Sequence, residues 1–344
     1  MNLYTIGFKR YTFILIAMVI PFGVMNMALN YIVDPIYLFH AAPKEGFYVR
    51  PTRERHAGIV KNYPIEVAVI GPSTALPARP AIFRRYFGAD FANLAMSGAS
   101  AAEQSAVIGQ LLAFQRPKWI IWDMTGLFGG SQQTPKTFPA FLYKNDLLSI
   151  LRYLIGVETT AHSVSKLLNE LRPMSIYDPM TMNEIFNEGF VYSAEAALNY
   201  LCNAQRQKIV ASSDIKTNRD NFSKMILPLI VKNPDTKFIF YVPPSMYGAF
   251  LPYDQEQLND YLSFKESIIA DVVAHENAKV FDLEALDFIR SDLSNYYDGS
   301  HYSPHTIDLM IEAIANDSVP PFDRKRFFDG VERARAFAEA NCPR

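Results

Sequence analysis

The chain has 344 residues, of which 49% are hydrophobic, 20% charged and 13% aromatic, with a formal net charge of −2. That size and balance suit one large domain or two small ones with a real core, and exclude a disordered chain, a collagen-like chain and a polytopic membrane protein. A net charge near zero argues against a nucleic-acid partner, because nucleic-acid binders concentrate basic residues on one surface.

Residues 11–33 carry no charged side chain. A helix of about 23 residues, rising about 1.5 Å each, spans a bilayer core of about 30 Å. Pro21 is tolerated in such a helix, and Asp34-Pro35 ends it. Lys9 and Arg10 precede the run, so residues 1–10 read as a cytoplasmic tail and 11–33 as a single-pass inner-membrane anchor. The remainder then lies in the periplasm or outside the cell. Lys44, Arg50, Arg53 and Arg55 follow on the far side, but long domains translocate largely regardless of such charges. A cleaved signal peptide would show an apolar region of about 7–15 residues ending in a small-x-small site. This run is longer, and Met25-Asn26-Met27-Ala28-Leu29-Asn30 offers no Ala-x-Ala.

Residues 34–64 read as a linker. Apolar runs at 67–70, 90–94, 119–122, 238–242 and 279–281 suit strands buried on both faces, as in a parallel sheet. Helical patterns fall between them. One covers 100–114 and opens at a Ser100/Glu103 capping box, one covers 255–276, and one at 306–316 closes the domain. Strands alternating with helices predict an α/β layered fold over 65–316. Residues from about 129 to 232 interrupt the rhythm with helical stretches at 146–171, 193–211 and 221–232 and with Pro173 and Pro179. They read as a helical insertion after the third strand. Residues 317–344 form a tail whose stretch at 323–340 is a charged amphipathic helix. Cys202 and Cys342 pair only if the fold brings them together.

Ligands of open parallel sheets bind at the carboxyl ends of the strands. The first strand is followed by Gly71-Pro72-Ser73-Thr74 and the second by Asn93-Leu94-Ala95-Met96-Ser97-Gly98. Asp123-Met124-Thr125-Gly126 follows the third, and Asp298-Gly299-Ser300-His301-Tyr302 precedes the closing helix. This set suits acyl transfer. Ser73 would be the nucleophile, His301 its base, and Asp298, three residues earlier, the carboxylate that orients the imidazole. The amides of Ser73 and Gly98 are natural oxyanion donors.

The order Gly-x-Ser, Asn-x-x-x-Ser-Gly, Asp-x-x-His resembles the SGNH/GDSL hydrolase superfamily. The resemblance implies a flavodoxin-like three-layer α/β/α sandwich, with the roles just given to Ser73, His301, Asp298 and Gly98, and no cofactor or metal. The third block departs from the family's Gly-x-Asn-Asp: Trp122-Asp123-Met124-Thr125-Gly126 has no asparagine. Pro72 also stands where the family commonly has Asp. Asn93 or Thr125 is left to supply the third oxyanion donor, whose loss costs about 100- to 1,000-fold in turnover. The plan of anchor, SGNH-like domain and Asp-Gly-Ser-His-Tyr is similar to alginate O-acetyltransferase and DltD-like proteins.

That similarity implies an acyl esterase or O-acyltransferase acting on cell-envelope polysaccharide or an acyl donor, beside a polytopic membrane acyltransferase. The alternative is a catalytically silent carbohydrate-binding or scaffolding protein of the same kind of complex. Asp123, Thr125 and Tyr302 are candidate substrate contacts. His305, four residues after His301, has the spacing of a helical metal pair but no nearby Glu or Cys to complete it. His40, His56, His162 and His275 read as surface or interface residues.

Overall fold

Continuous apolar runs become strands where both faces of a sheet are covered. The computed structural model describes residues 3–41, 52–88, 91–127, 135–171, 191–206 and 215–342. Its elements in chain order are α1 (Leu3–Val33), α2 (Thr52–Asn62), β1 (Val67–Ile70), α3 (Pro80–Phe87), β2 (Phe91–Asn93), α4 (Ala101–Phe114), β3 (Trp119–Asp123), α5 (Leu147–Ile155) and α6 (Val157–Leu171). There follow α7 (Ala194–Arg206), α8 (Ile215–Met225), α9 (Leu227–Lys232), β4 (Lys237–Val242), α10 (Gln255–Val273), β5 (Ala278–Asp282), α11 (Asp287–Arg290), α12 (Pro304–Ala315) and α13 (Arg324–Asn341). They sort into two units, residues 1–63 with 139–177 and residues 64–138 with 178–344.

The second unit holds a mixed α/β fold around five parallel strands in the order β2-β1-β3-β4-β5. Alternate residues of each strand serve opposite faces. Val67, Val69, Ile121, Ile239 and Phe281 share a core with Phe83 of α3 and with Ile307, Met310 and Ile311 of α12. From intervening positions, Trp122 and Phe240 stack at 5.5 Å, Trp122 Nε1 donates to Gln104 of α4, and Phe222 of α8 meets Phe240 edge-on. The chain leaves β1 for β2 on one side and crosses back to β3 on the other. The connections from β1 and into β3 thus run on opposite faces of the sheet, and the carboxyl ends of these two strands are the position where open parallel sheets bind ligands in a crevice.

Caps place several helices. Ser100 Oγ accepts from the Glu103 amide while Glu103 accepts from the Ser100 amide, and Asp254 with Gln257 repeats the arrangement on α10. The stretch read as one helix at 146–171 is two, broken at Gly156; that at 221–232 lies in two helices, α8 and α9. Asp90, Lys44, Arg50, Pro173 and Pro179 lie outside the described residues. Cys202 and Cys342 form a disulfide with Cα atoms 5.3 Å apart, joining α7 to the end of α13.

The first unit contains α1, whose Arg10–Val33 segment of 24 residues is long and apolar enough to cross a membrane. The helix stops because Asp34 takes a left-handed backbone (φ 41°) and turns its buried carboxylate onto the following chain. That carboxylate accepts from the amides of Leu38, Phe39 and His40 and from the Tyr153 hydroxyl of α5. Within the stretch 34–64, the described residues 52–62 form α2, whose Arg55 and His56 are fully buried rather than solvent-facing, and Ala57 of α2 packs with Ile36, Leu38, Leu142 and Tyr153. Residues 139–171 of the expected insertion belong to this unit.

Candidate active site

Gly71 ends β1 against β3. A Cβ on it would stand 2.6 Å from the Asp123 Cβ, so only glycine lets the two strand ends close up. Two residues on, Ser73 begins a short 3-10 turn, half-buried at the crevice. Its Oγ is 2.8 Å from His301 Nε2. His301 Nδ1 is 2.7 Å from Asp298 Oδ2 on the other side of the ring. A carboxylate only accepts, so the ring proton belongs on Nδ1, and Nε2 is left to accept from the serine hydroxyl.

The loop that carries both partners is closed at its base. Tyr296 and Tyr302 bridge, and the Tyr297 amide donates to the His301 carbonyl at 2.9 Å. Asp298 Oδ1 accepts from the amides of Ser300 and His301, 2.8 Å each, which orients the carboxylate before the imidazole meets it. Gly299 lies against the Tyr200 ring of α7, and its carbonyl accepts from the Met246 amide. Burial alone would raise the Asp298 carboxyl, but the bonds from the His301 ring and the two amides, with the histidine's charge, hold it below its ordinary value.

Gly98 sits exposed with φ 61°, a left-handed conformation that suits glycine. No loop or turn hydrogen bond among the described residues uses the amide of Ser73 or of Gly98. Both expected oxyanion amides are thus unspent by the backbone.

Four expectations are corrected here. Asn93 is no oxyanion donor: its Nδ2 is turned away onto the carbonyls of Ala75, Leu76 and Ala78, and its Oδ1 accepts from the Ala95 amide. It braces the Ser73 turn from below. Thr125 is no free third oxyanion donor, because its amide donates to Asp123 Oδ1 at 2.8 Å and its side chain bonds to the same carboxyl, although the residue itself stays exposed. Asp123 and Tyr302 are buried, at 0% and 1% exposure, and cannot touch a substrate. Asp123 instead accepts from the Thr74 hydroxyl at 2.7 Å and the Tyr241 hydroxyl at 3.2 Å beneath the nucleophile. Burial pushes the Asp123 carboxyl up against the pull of those bonds. Burial and the Asp123 charge push both the Tyr241 and Tyr302 phenols well above their ordinary value.

Thr74, Tyr200 and Tyr241 support this site without having been singled out for it. Thr74 adjoins the serine and Tyr241 lies next to the last residue of β4, but nothing in their spacing distinguishes them from core residues. A cavity of about 220 Å³ lined by Tyr247, Arg290, Arg333 and Phe337 includes none of the Ser73, His301 and Asp298 group.

No family model and no curated protein matches the chain. A solved structure from Streptococcus pneumonia, described as "a putative platelet activating factor", superposes with a TM-score of 0.41 at 9% identity, over 78% of this chain and 91% of its own.

Proposed function

We propose that the chain is a membrane-anchored, extracytoplasmic serine esterase or O-acyltransferase of SGNH type, acting on acyl groups of cell-envelope polysaccharide. The carrying observation is the unbroken hydrogen-bond chain from Ser73 Oγ through His301 to Asp298. The strand order supports a flavodoxin-like sandwich, with the site at its switch point. The apolar α1 and the Cys202–Cys342 disulfide support a location outside the reducing cytoplasm.

In this reading Ser73 Oγ attacks the ester carbonyl carbon while His301 Nε2 takes its proton. The amides of Ser73 and Gly98 receive the oxyanion, and Asp298 stabilises the imidazolium. Collapse breaks the ester C–O bond. The departing alcohol takes the proton from His301 and leaves acyl-Ser73. A water or a sugar hydroxyl then gives its proton to His301, attacks the acyl-serine and frees Ser73. A sugar acceptor makes the reaction a transfer, with the acyl group supplied through a polytopic membrane acyltransferase.

The test is a fluorophosphonate probe and a short-chain aryl ester applied to the full-length protein in detergent. Ser73 is expected to take up the probe. Ser73→Ala should lower ester turnover by about 10³-fold or more with unchanged thermal unfolding, and His301→Ala should match it. The diversion of Asn93 and the Thr125 amide favours one second reading, a silent carbohydrate-binding scaffold. A folded wild type that takes neither probe nor ester would overturn the esterase reading and leave that one standing.

A further inference from the structure

The hairpin of α5 and α6 is bonded to the flank of α1. Asn30 Nδ2 donates to the Leu154 carbonyl at 2.8 Å and to Thr160 Oγ1 at 2.9 Å. Thr160 Oγ1 lies 2.9 Å from Asn26 Oδ1, Ser163 Oγ donates to Asn30 Oδ1, and Lys166 Nζ donates to the Val33 carbonyl. Positions 160, 163 and 166 of α6 thus pair in order with 26, 30 and 33 of α1. The two helices run side by side in the same direction. The hairpin tip, Ile155-Gly156-Val157, accordingly lies beyond Asn26 toward Phe22. An open groove of about 760 Å³ is lined by Phe22, Ile155, Val157, Ala161, Val164 and Leu168. At about 1.5 Å per residue the tip stands roughly 10–16 Å back along α1 from its end at Val33.

Tight turns in water favour Gly, Asn, Asp, Ser and Pro. This one has its glycine but flanks it with Ile155 and Val157, 57% and 85% exposed, and Leu168 of α6 is 58% exposed. The face is continuous with the exposed apolar side chains of α1, Phe22 and Met25 among them. Arg152 and Glu158 flank the tip and are exposed. That mixture suits the boundary between headgroups and acyl chains, where an apolar face sinks about 5–10 Å and charges stay wet.

We propose that the α5–α6 hairpin is a second membrane contact. The Ile155–Val157 tip and the apolar side of α6 seat in the leaflet from which α1 emerges, and lipid acyl chains fill the groove beside Phe22. This rests on α1 spanning the bilayer, as in the proposed function.

The test places an environment-sensitive fluorophore on Val157→Cys in the full-length protein, in nanodiscs of phosphatidylethanolamine and phosphatidylglycerol. Met18→Cys reports the anchor, and Glu256→Cys, exposed on α10, reports water. Lipid carrying a doxyl group near the headgroup is expected to quench the Val157 probe at least about twofold more than the Glu256 probe, with iodide showing the reverse order. A lipid-quenched Met18 probe beside a Val157 probe as open to iodide as Glu256 overturns the hairpin contact and leaves the anchor standing. Iodide access at Met18 overturns the anchor and the hairpin with it. A Val157 probe shielded from both quenchers is covered by protein, a second copy of the chain, and also overturns the proposal. If Val157→Cys does not accumulate, Leu168→Cys on the same face replaces it.

Discussion

Thr74 donates its hydroxyl to Asp123 at 2.7 Å, tying the residue beside Ser73 to the end of β3. Asp123 also collects the Thr125 amide and the Tyr241 hydroxyl, so one buried carboxyl holds both lips of the crevice. Asp123→Ala strands those donors in a dry site. The expected loss is about 1–3 kcal/mol of stability, read by chemical denaturation. Asp123→Asn retains an acceptor oxygen and should lose less. Equal losses would show that the oxygen an asparagine retains satisfies none of those donors.

Asp298 sets an acid limit. Its carboxyl is held below the ordinary 3.8 despite burial, by the His301 ring and two amides. A group with a depressed folded value contributes stability that is complete above its unfolded value and is lost as pH falls through the folded one. The unfolding free energy of wild type relative to Asp298→Asn should therefore be level down to about pH 5 and shrink toward pH 2. A difference that stays level to pH 2 would contradict an ionised Asp298 facing His301.

Lys265 of α10 is fully buried, 2.8 Å from Asp282 and 2.7 Å from Glu284, with its ammonium over the Phe322 ring. Lys265→Met keeps the bulk and removes the charge, leaving Asp282 without its ion pair and Glu284 with only Arg290, 3.9 Å away. A loss of about 3–5 kcal/mol is expected. Burial already raises Asp282, and Lys265 opposes that rise. Without the lysine the folded state takes up a proton more readily than the unfolded chain, so the deficit should be smaller at pH 5 than at pH 8. Denaturation at the two pH values checks the sign.

The Cys202–Cys342 disulfide closes a separation of 140 residues. Constraint of the unfolded chain predicts a loss of about 2–5 kcal/mol on its removal. Adding reductant to wild type should lower its unfolding midpoint to that of Cys342→Ser, and should leave Cys342→Ser unmoved. Both are measured in the same denaturant series.

The strands were legible because a doubly covered sheet writes itself as unbroken apolar runs; 67–70 and β1 coincide residue for residue. The Ser100 cap was legible because its chemistry is local. Asn93 was not: an asparagine at a strand end reads the same whether it faces a ligand or three carbonyls. Asp123 and Tyr302 were placed at the right strand end and loop, but a one-dimensional pattern does not say how deep a side chain lies. Arg55 and His56 hid α2, since residue types that usually stay wet are buried there. The pairing of 139–171 with α1 depends on bonds across more than 120 positions, such as Asn30 to Leu154, and no periodicity announces those.

Asn26 and Asn30 stand one turn apart on α1, and both are held by Thr160, with Asn30 also held by Leu154 and Ser163. A lone apolar helix in a bilayer swivels about its long axis at little cost. Here a swivel breaks four hydrogen bonds, so the azimuth of α1 is set. The helix has a fixed inner side, which faces the hairpin, and a fixed outer side, where Ile32 is 75% exposed. If α1 spans a bilayer, as proposed, any helix that assembles with it in the plane of the membrane meets that same outer side in every copy.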